Sequence, residues 1–337
     1  MKLKFFALII LFCVLAICAL MNGPMDIGFS SIFGFVPTGV EGGDEVQIIL
    51  NYRWSKVIMA ITACGGLAIA GLLMQTYFQN PLAGPDVFGL TSGASLGVAL
   101  AIFAQSSLFQ FTSLELNFLG FGLEAIAAFL GAFLTFLLIS LLSIKFRSKT
   151  VLLILGLLMA SFLSGFLSLL VSLSNKDELR DFISWGLGSF EKLNLIQAIF
   201  MLIAVLFIST IVFFMSKALN VFYLGEKYAA TSGVNVKKFK GNVILATCLL
   251  TALITAACGP LAFVGVVAAH ASRAFFKTSH HKILVPGTLL IGANFGLVVI
   301  LFLSFRFSLP LPANAIMGFL GAPLLLFFLL RKEHKHL

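Results

Sequence analysis

Apolar residues fill this chain in long runs, and polar residues collect between them. Ten such runs can be marked, at residues 5–21, 57–78, 92–109, 121–144, 150–173, 195–215, 243–258, 261–276, 283–305 and 313–330. A helix that crosses a bilayer needs about 20 apolar residues, so the pattern predicts ten spans. The seventh and eighth runs are short and meet at Gly259-Pro260. The first follows Lys2 and Lys4 as a signal peptide would, but no small-x-small cleavage site follows, and an uncleaved span is expected. Three hydrophilic stretches separate the runs: 22–55 on one side, 216–240 on the other, and 175–193, whose apolar spacing predicts a short surface helix.

Composition sharpens this picture. Of the 337 residues, 60% are hydrophobic and 10% charged, against about a quarter charged in soluble proteins. This excludes a soluble surface. The net charge of +9 sits in loops that set topology and needs no nucleic-acid partner. With both termini cytoplasmic, 16 of the 22 Lys and Arg fall inside, and only 3 of the 13 acids, Asp86, Glu226 and Glu333. A miscounted span would scramble that asymmetry. The fold class is therefore an all-α polytopic membrane protein, a single transmembrane domain over 1–337.

Candidate chemistry is sparse. The five cysteines lie in apolar runs without metal-ligand spacing and read as small packing residues. His270, His280, His281, His334 and His336 read as interfacial cations, and no metal site is expected. Glu124 and Arg273 fall near span ends, and no acid pair sits mid-span. That argues against an ion-coupled secondary transporter or channel, the main rival reading. No GxxxxGK[ST] loop is present, so ATP and Mg, if used, belong to a partner subunit. Segment 216–240 is the best docking surface for such a partner. Leu219, Phe222, Tyr223, Tyr228 and Val234 are its apolar anchors, and Gly225 and Gly233 can break it into two short helices. Small residues recur every fourth position at Gly89, Gly93 and Gly97, and again at Gly156, Ala160, Ser164 and Ser168. Both stripes permit close helix packing. The second, with Ser161 and Gly165 alongside, can also line a translocation path.

The run from Gly65 to Gly97 breaks at Asn80-Pro81, turns through Ala83-Gly84-Pro85 and re-enters an apolar helix. Its core, MQTYFQNPLAGPDVFGLTSGASLG, resembles the signature hinge of the iron-siderophore, haem and cobalamin uptake permeases, the FecCD-type subunits of ABC importers. LNVFYLGEKYAATSGVNV resembles that family's cytoplasmic coupling segment, GPLAFVGVVAAHASR its second hinge, and LPANAIMGFLGAP the start of its last span. The resemblance extends over about residues 53–331.

The resemblance implies a ten-span permease of the type II importer fold in the inner membrane of a bacterium. It implies a second permease subunit, identical or paralogous, two cytoplasmic ATPase subunits and an extracytoplasmic substrate-binding protein. It places ATPase coupling on Leu219, Phe222, Tyr223, Leu224, Gly225, Glu226, Ala229, Gly233 and Val234. It places binding-protein docking on Arg53 and Lys56, with Arg306 as a third contact. Gln75, Asn80, Pro81, Pro85, Gly259 and Pro260 become structural hinge residues, and the chain itself binds no cofactor. Four departures stand out: Gln79 where the family has Arg, Ala269 where it has Pro, no acid between Asn294 and Ser304, and no Glu before the last Leu-Pro.

Overall fold

A computed structural model describes residues 1–22, 43–108, 122–145, 149–304 and 311–333. Among them it has thirteen α-helices and one 3-10 turn, Pro85–Phe88. Ten helices correspond one to one with the ten apolar runs: α1 (Lys2–Met21), α2 (Gly43–Phe78), α3 (Leu90–Leu108), α4 (Leu123–Lys145), α5 (Lys149–Leu173), α7 (Leu195–Phe214), α10 (Val236–Cys258), α11 (Val264–Phe276), α12 (His281–Ser304) and α13 (Ala313–Glu333). The other three come from the hydrophilic stretches: α6 (Lys176–Gly186), α8 (Ser216–Tyr223) and α9 (Glu226–Thr231). Seven helices are long and apolar enough to cross a bilayer, and α3, α11 and α13 supply three shorter apolar segments.

Two boundaries differ from expectation. Stretch 22–55 is not hydrophilic loop throughout, because α2 begins at Gly43 and runs unbroken for 36 residues. No Gly or Pro follows Gly43 until Gly65, so nothing interrupts the helix. The short seventh run is the end of a longer helix, since Asn235 caps α10 by accepting from the Lys238 N–H at 3.0 Å.

The helices are arranged around α2. The most apolar 18-residue stretch within Ile49–Phe78 is 89% buried, whereas that of α5 is 11% buried. Lipid tails are as apolar as leucine, so burial alone does not drive helices together in a bilayer; close contact does. That contact comes from glycines facing backbone. A methyl group at Gly71 would lie 2.1 Å from Gly265 O on α11. On α12, methyls at Gly292 and Gly296 would lie 2.5 Å from Cys64 O and Ala60 O of α2. The stripe on α3 does the same work: a methyl at Gly97 would meet Ala127 O of α4 at 2.1 Å, and one at Gly131 would meet Gly93 O at 2.1 Å. Cys64, Cys248 and Cys258 are buried free thiols in this packing, as their apolar surroundings predict.

Gly71→Ala should lower stability by about 1–3 kcal/mol, the usual cost of overpacking. Gly165→Ala, with nothing within 4 Å of the added carbon, should be neutral or slightly stabilising. Thermal unfolding of the two variants in detergent checks the contrast.

Candidate functional site

Polar side chains gather at both ends of α2. At the end that carries the basic loops, the last two turns offer Gln75, Thr76 and Gln79. Gln75 is buried; its Nε2 donates to Val266 O at 3.3 Å and lies 3.2 Å from His270 Nδ1. Arg273 Nη1 donates to Gln75 Oε1. Thr76 Oγ1 lies 2.9 Å from His281 Nε2, and His281 Nδ1 lies 2.8 Å from Asn220 Oδ1 on α8. Gln79 closes the helix in the left-handed region, at φ 52°, and its Nε2 donates to Tyr223 O at 3.2 Å. The hinge follows: Asn80 Oδ1 accepts the Leu82 N–H at 2.9 Å, a local turn that satisfies a frayed end. Pro81 is exposed and Pro85 buried, opening the 3-10 turn. Gly156 and Ala160 of α5 pack directly on this hinge, against Val87 and Gly89.

His281 is thus a correction to the interfacial reading of the histidines. It is 1% exposed and bonded through both ring nitrogens. Ala269, where the family pattern has Pro, is buried in an uninterrupted α11.

The predicted coupling residues divide by direction. Leu219, Phe222 and Ala229 are fully buried; the Phe222 ring lies 4.8 Å from Phe239 and 6.3 Å from Tyr77. These three hold the segment to the bundle. Tyr223, Leu224 and Tyr228 point outward and are exposed, Leu224 by 68%. Gly225, at φ 132°, separates α8 from α9. Gly233, at φ 84°, ends α9 while the Val234 N–H reaches back to Ala229 O at 3.0 Å. Glu226 pairs with Lys240 at 2.6 Å. The segment therefore presents an apolar and aromatic tip on a rigid two-helix mount.

At the opposite end, Arg53 is 4% exposed, and its Nη1 donates to Leu20 O at 2.9 Å and Met21 O at 3.1 Å. It satisfies carbonyls that the end of α1 leaves open, so its guanidinium is engaged within the chain. Lys56 Nζ pairs with Glu191 Oε1 at 2.6 Å. Gly259, at φ 75°, lies so close to Trp185 that a methyl would meet Trp185 O at 2.5 Å. The Ser189 N–H donates to Cys258 O at 2.8 Å, and the Ala262 N–H just past Pro260 donates to Asn314 Oδ1 at 3.0 Å. The second hinge is clasped by the loop after α6 and the start of α13. Arg306 lies outside the described residues. Ser161, Ser164, Gly165 and Ser168 are all exposed along one stretch of α5.

Thr76, Asn220 and His281 are absent from the sequence-level site. Asn220 and His281 stand 61 residues apart, and no spacing rule joins an asparagine to a histidine at that distance.

The profile of the FecCD transport family matches residues 8–331. The chain belongs to that family. It is 31% identical to the molybdate import system permease protein of Haemophilus influenzae, over 83% of this chain and 80% of that one. It is 30% identical to the iron(3+)-hydroxamate import system permease protein of Bacillus subtilis, over 86% and 84%. A solved chain described as a metal-chelate type ABC transporter in an inward-facing conformation superposes with a TM-score of 0.83, at 28% identity, over 98% of this chain and 99% of that one. This FecCD chain is the multi-pass permease component of an ABC importer, with ATP hydrolysis on a separate subunit and a substrate-binding protein as partner. The transporter that works without an ATPase is not favoured.

Burial pushes the Glu191 carboxyl up, but hydrogen bonds from Lys56 and Tyr52 and the charge of Lys56 outweigh it, and its pKa falls below the ordinary value. A lowered carboxyl stabilises the fold fully above its unfolded pKa of ~4.3 and loses that contribution as pH falls through the folded value. Glu191→Gln should therefore lower Tm at pH 7, and the gap to wild type should close below about pH 4. Melting curves of both proteins across pH check this.

Proposed function

We propose that this permease imports an iron chelate, a siderophore or haem complex, with cobalamin as the nearest alternative cargo. A second copy of the chain completes the translocation path, and both termini lie in the cytoplasm. The observation that carries this reading is the divided stripe on α5. Its Gly156–Ala160 part is packed on the hinge, while Ser161, Ser164, Gly165 and Ser168 are exposed among the described residues. Residues 150–173 contain no acid or base. A neutral, small-residue wall suits a bulky chelate that must pass without being held. The name of the hydroxamate relative supports that class, and the molybdate relative supplies the competing cargo to test.

In this reading Tyr223, Leu224 and Tyr228 seat in the ATPase subunits, with ATP and Mg bound there. Leu219, Phe222, Ala229 and Val234 mount that tip from behind, Gly225 and Gly233 shape it, and Glu226 braces it through Lys240. Lys56 meets acids on the binding protein, Arg53 fixes the platform beneath it, and Arg306 is the third docking contact.

Reconstitution in liposomes with the ATPase and binding protein tests the reading. ATP-dependent uptake of a ferric hydroxamate, haem or cobalamin is expected, with none driven by an ion gradient alone. Leu224→Asp should weaken ATPase association by about 2 kcal/mol or more, the scale of an interface hot spot, and abolish uptake. Uptake of molybdate only, or association unchanged in Leu224→Asp, would contradict it.

A further inference from the structure

Each polar side chain at the end of α2 reaches a different element: Gln75 goes to α11, Thr76 to the start of α12, and Gln79 to the end of α8. The Thr76 connection continues furthest. Asn220 Oδ1 accepts the backbone N–H of His281 at 2.8 Å. A backbone N–H can only donate, so the amide oxygen of Asn220 must face His281. The same oxygen lies 2.8 Å from His281 Nδ1, and an oxygen without a proton requires one on that nitrogen. In the neutral ring Nε2 is then an acceptor; the Thr76 hydroxyl lies 2.9 Å from it and 2.8 Å from Leu72 O one turn back, so its single proton has both acceptors in reach. The three side chains form one line: the Thr76 hydroxyl lies against His281 Nε2, and His281 donates to Asn220. It runs from the most buried helix to α8, one turn before the exposed Leu224. Thr76 and His281 are buried, where unpaired polar groups are costly, so the line is kept intact. Phe222 on Tyr77 holds the same two helices by contact that tolerates sliding; a chain of hydrogen bonds fixes direction as well as distance.

We infer that Asn220, His281 and Thr76 are positioning residues that carry movement of α8 into α2 when the ATPase subunits close. They set how fully ATP binding changes the path, without touching substrate or nucleotide. The inference rests on the reading that α8 and α9 engage the ATPase.

The test uses the complete complex in liposomes and needs no identified cargo. Ser164→Cys provides a label site on the exposed part of α5, read as the change in its rate of reaction with a membrane-impermeant maleimide on ATP–vanadate trapping. Background from the native cysteines is subtracted using protein without that substitution. If the complex with wild-type Asn220, His281 and Thr76 shows no ATP-dependent change, the reading of α5 and the coupling segment fails, not the relay. Given that change, Thr76→Val and Asn220→Leu should each reduce it about tenfold, within the range by which side chains modulate coupling. Complex assembly and ATPase rate should be unchanged. The double variant should lose no more than either single one, because both cut one line. Asn220→Asp, whose carboxylate still accepts both His281 N–H groups, should retain the wild-type response. The inference is overturned by a wild-type response in the first two variants, by losses that multiply in the double variant, by failure of Asn220→Asp, or by loss of ATPase assembly alongside the response.

Discussion

Backbone must touch backbone around α2, and most of the structure depends on that constraint. In a bilayer, apolar side chains gain little by leaving lipid for protein, so helices stay together through close van der Waals contact. Gly71 against Gly265, Gly292 and Gly296 against Cys64 and Ala60, and Gly93 and Gly97 against Gly131 and Ala127 provide it. Helices held this closely have few ways to slide, which makes α2 with α10, α11 and α12 a stiff column. The polar residues follow from this. Helix ends expose carbonyl and amide groups that lipid cannot satisfy; Arg53 supplies a partner at the end of α1 and Gln79 one at the end of α8.

A stiff column leaves function to what lies outside it. α5 is the least buried of the long apolar helices, and its stripe of small residues serves two purposes along one helix. The part near Gly156 anchors it on the hinge; the part beyond Ala160 is exposed, and in the proposed reading it faces a second subunit and the cargo. The coupling segment shows the same division, with Leu219 and Phe222 facing in and Leu224 and Tyr228 facing out. In both, the inner residues give the outer ones a fixed position from which to act. That arrangement suits a permease component that converts closure of a separate ATPase into movement of its own path.

Much of this is legible in the sequence, because the bilayer imposes its thickness on the chain. The ten apolar runs correspond to ten helices. The α2 start at Gly43 is less legible, since a hydrophilic stretch with acids reads as loop although residues 44–55 contain no helix breaker. The direction of each coupling residue is hidden as well: Leu219, Phe222, Tyr223 and Leu224 are all apolar or aromatic, and only packing decides which face turns inward. Arg53 looks like a surface cation from its position before a span, and its bonds to Leu20 O and Met21 O depend on where α1 ends. His281 and Asn220 meet only through the fold. Local pattern conveys length and period; it does not convey which distant polar groups pair.

The central claim, that the glycine-packed column transmits movement as one internally rigid body, is tested most directly by amide hydrogen exchange. The assembled transporter would be measured in lipid nanodiscs, with and without trapped ATP. The account predicts that residues 57–78 keep the same slow exchange in both states while residues 149–173 change. Acceleration of 57–78 on ATP trapping, with 149–173 unaltered, would contradict it.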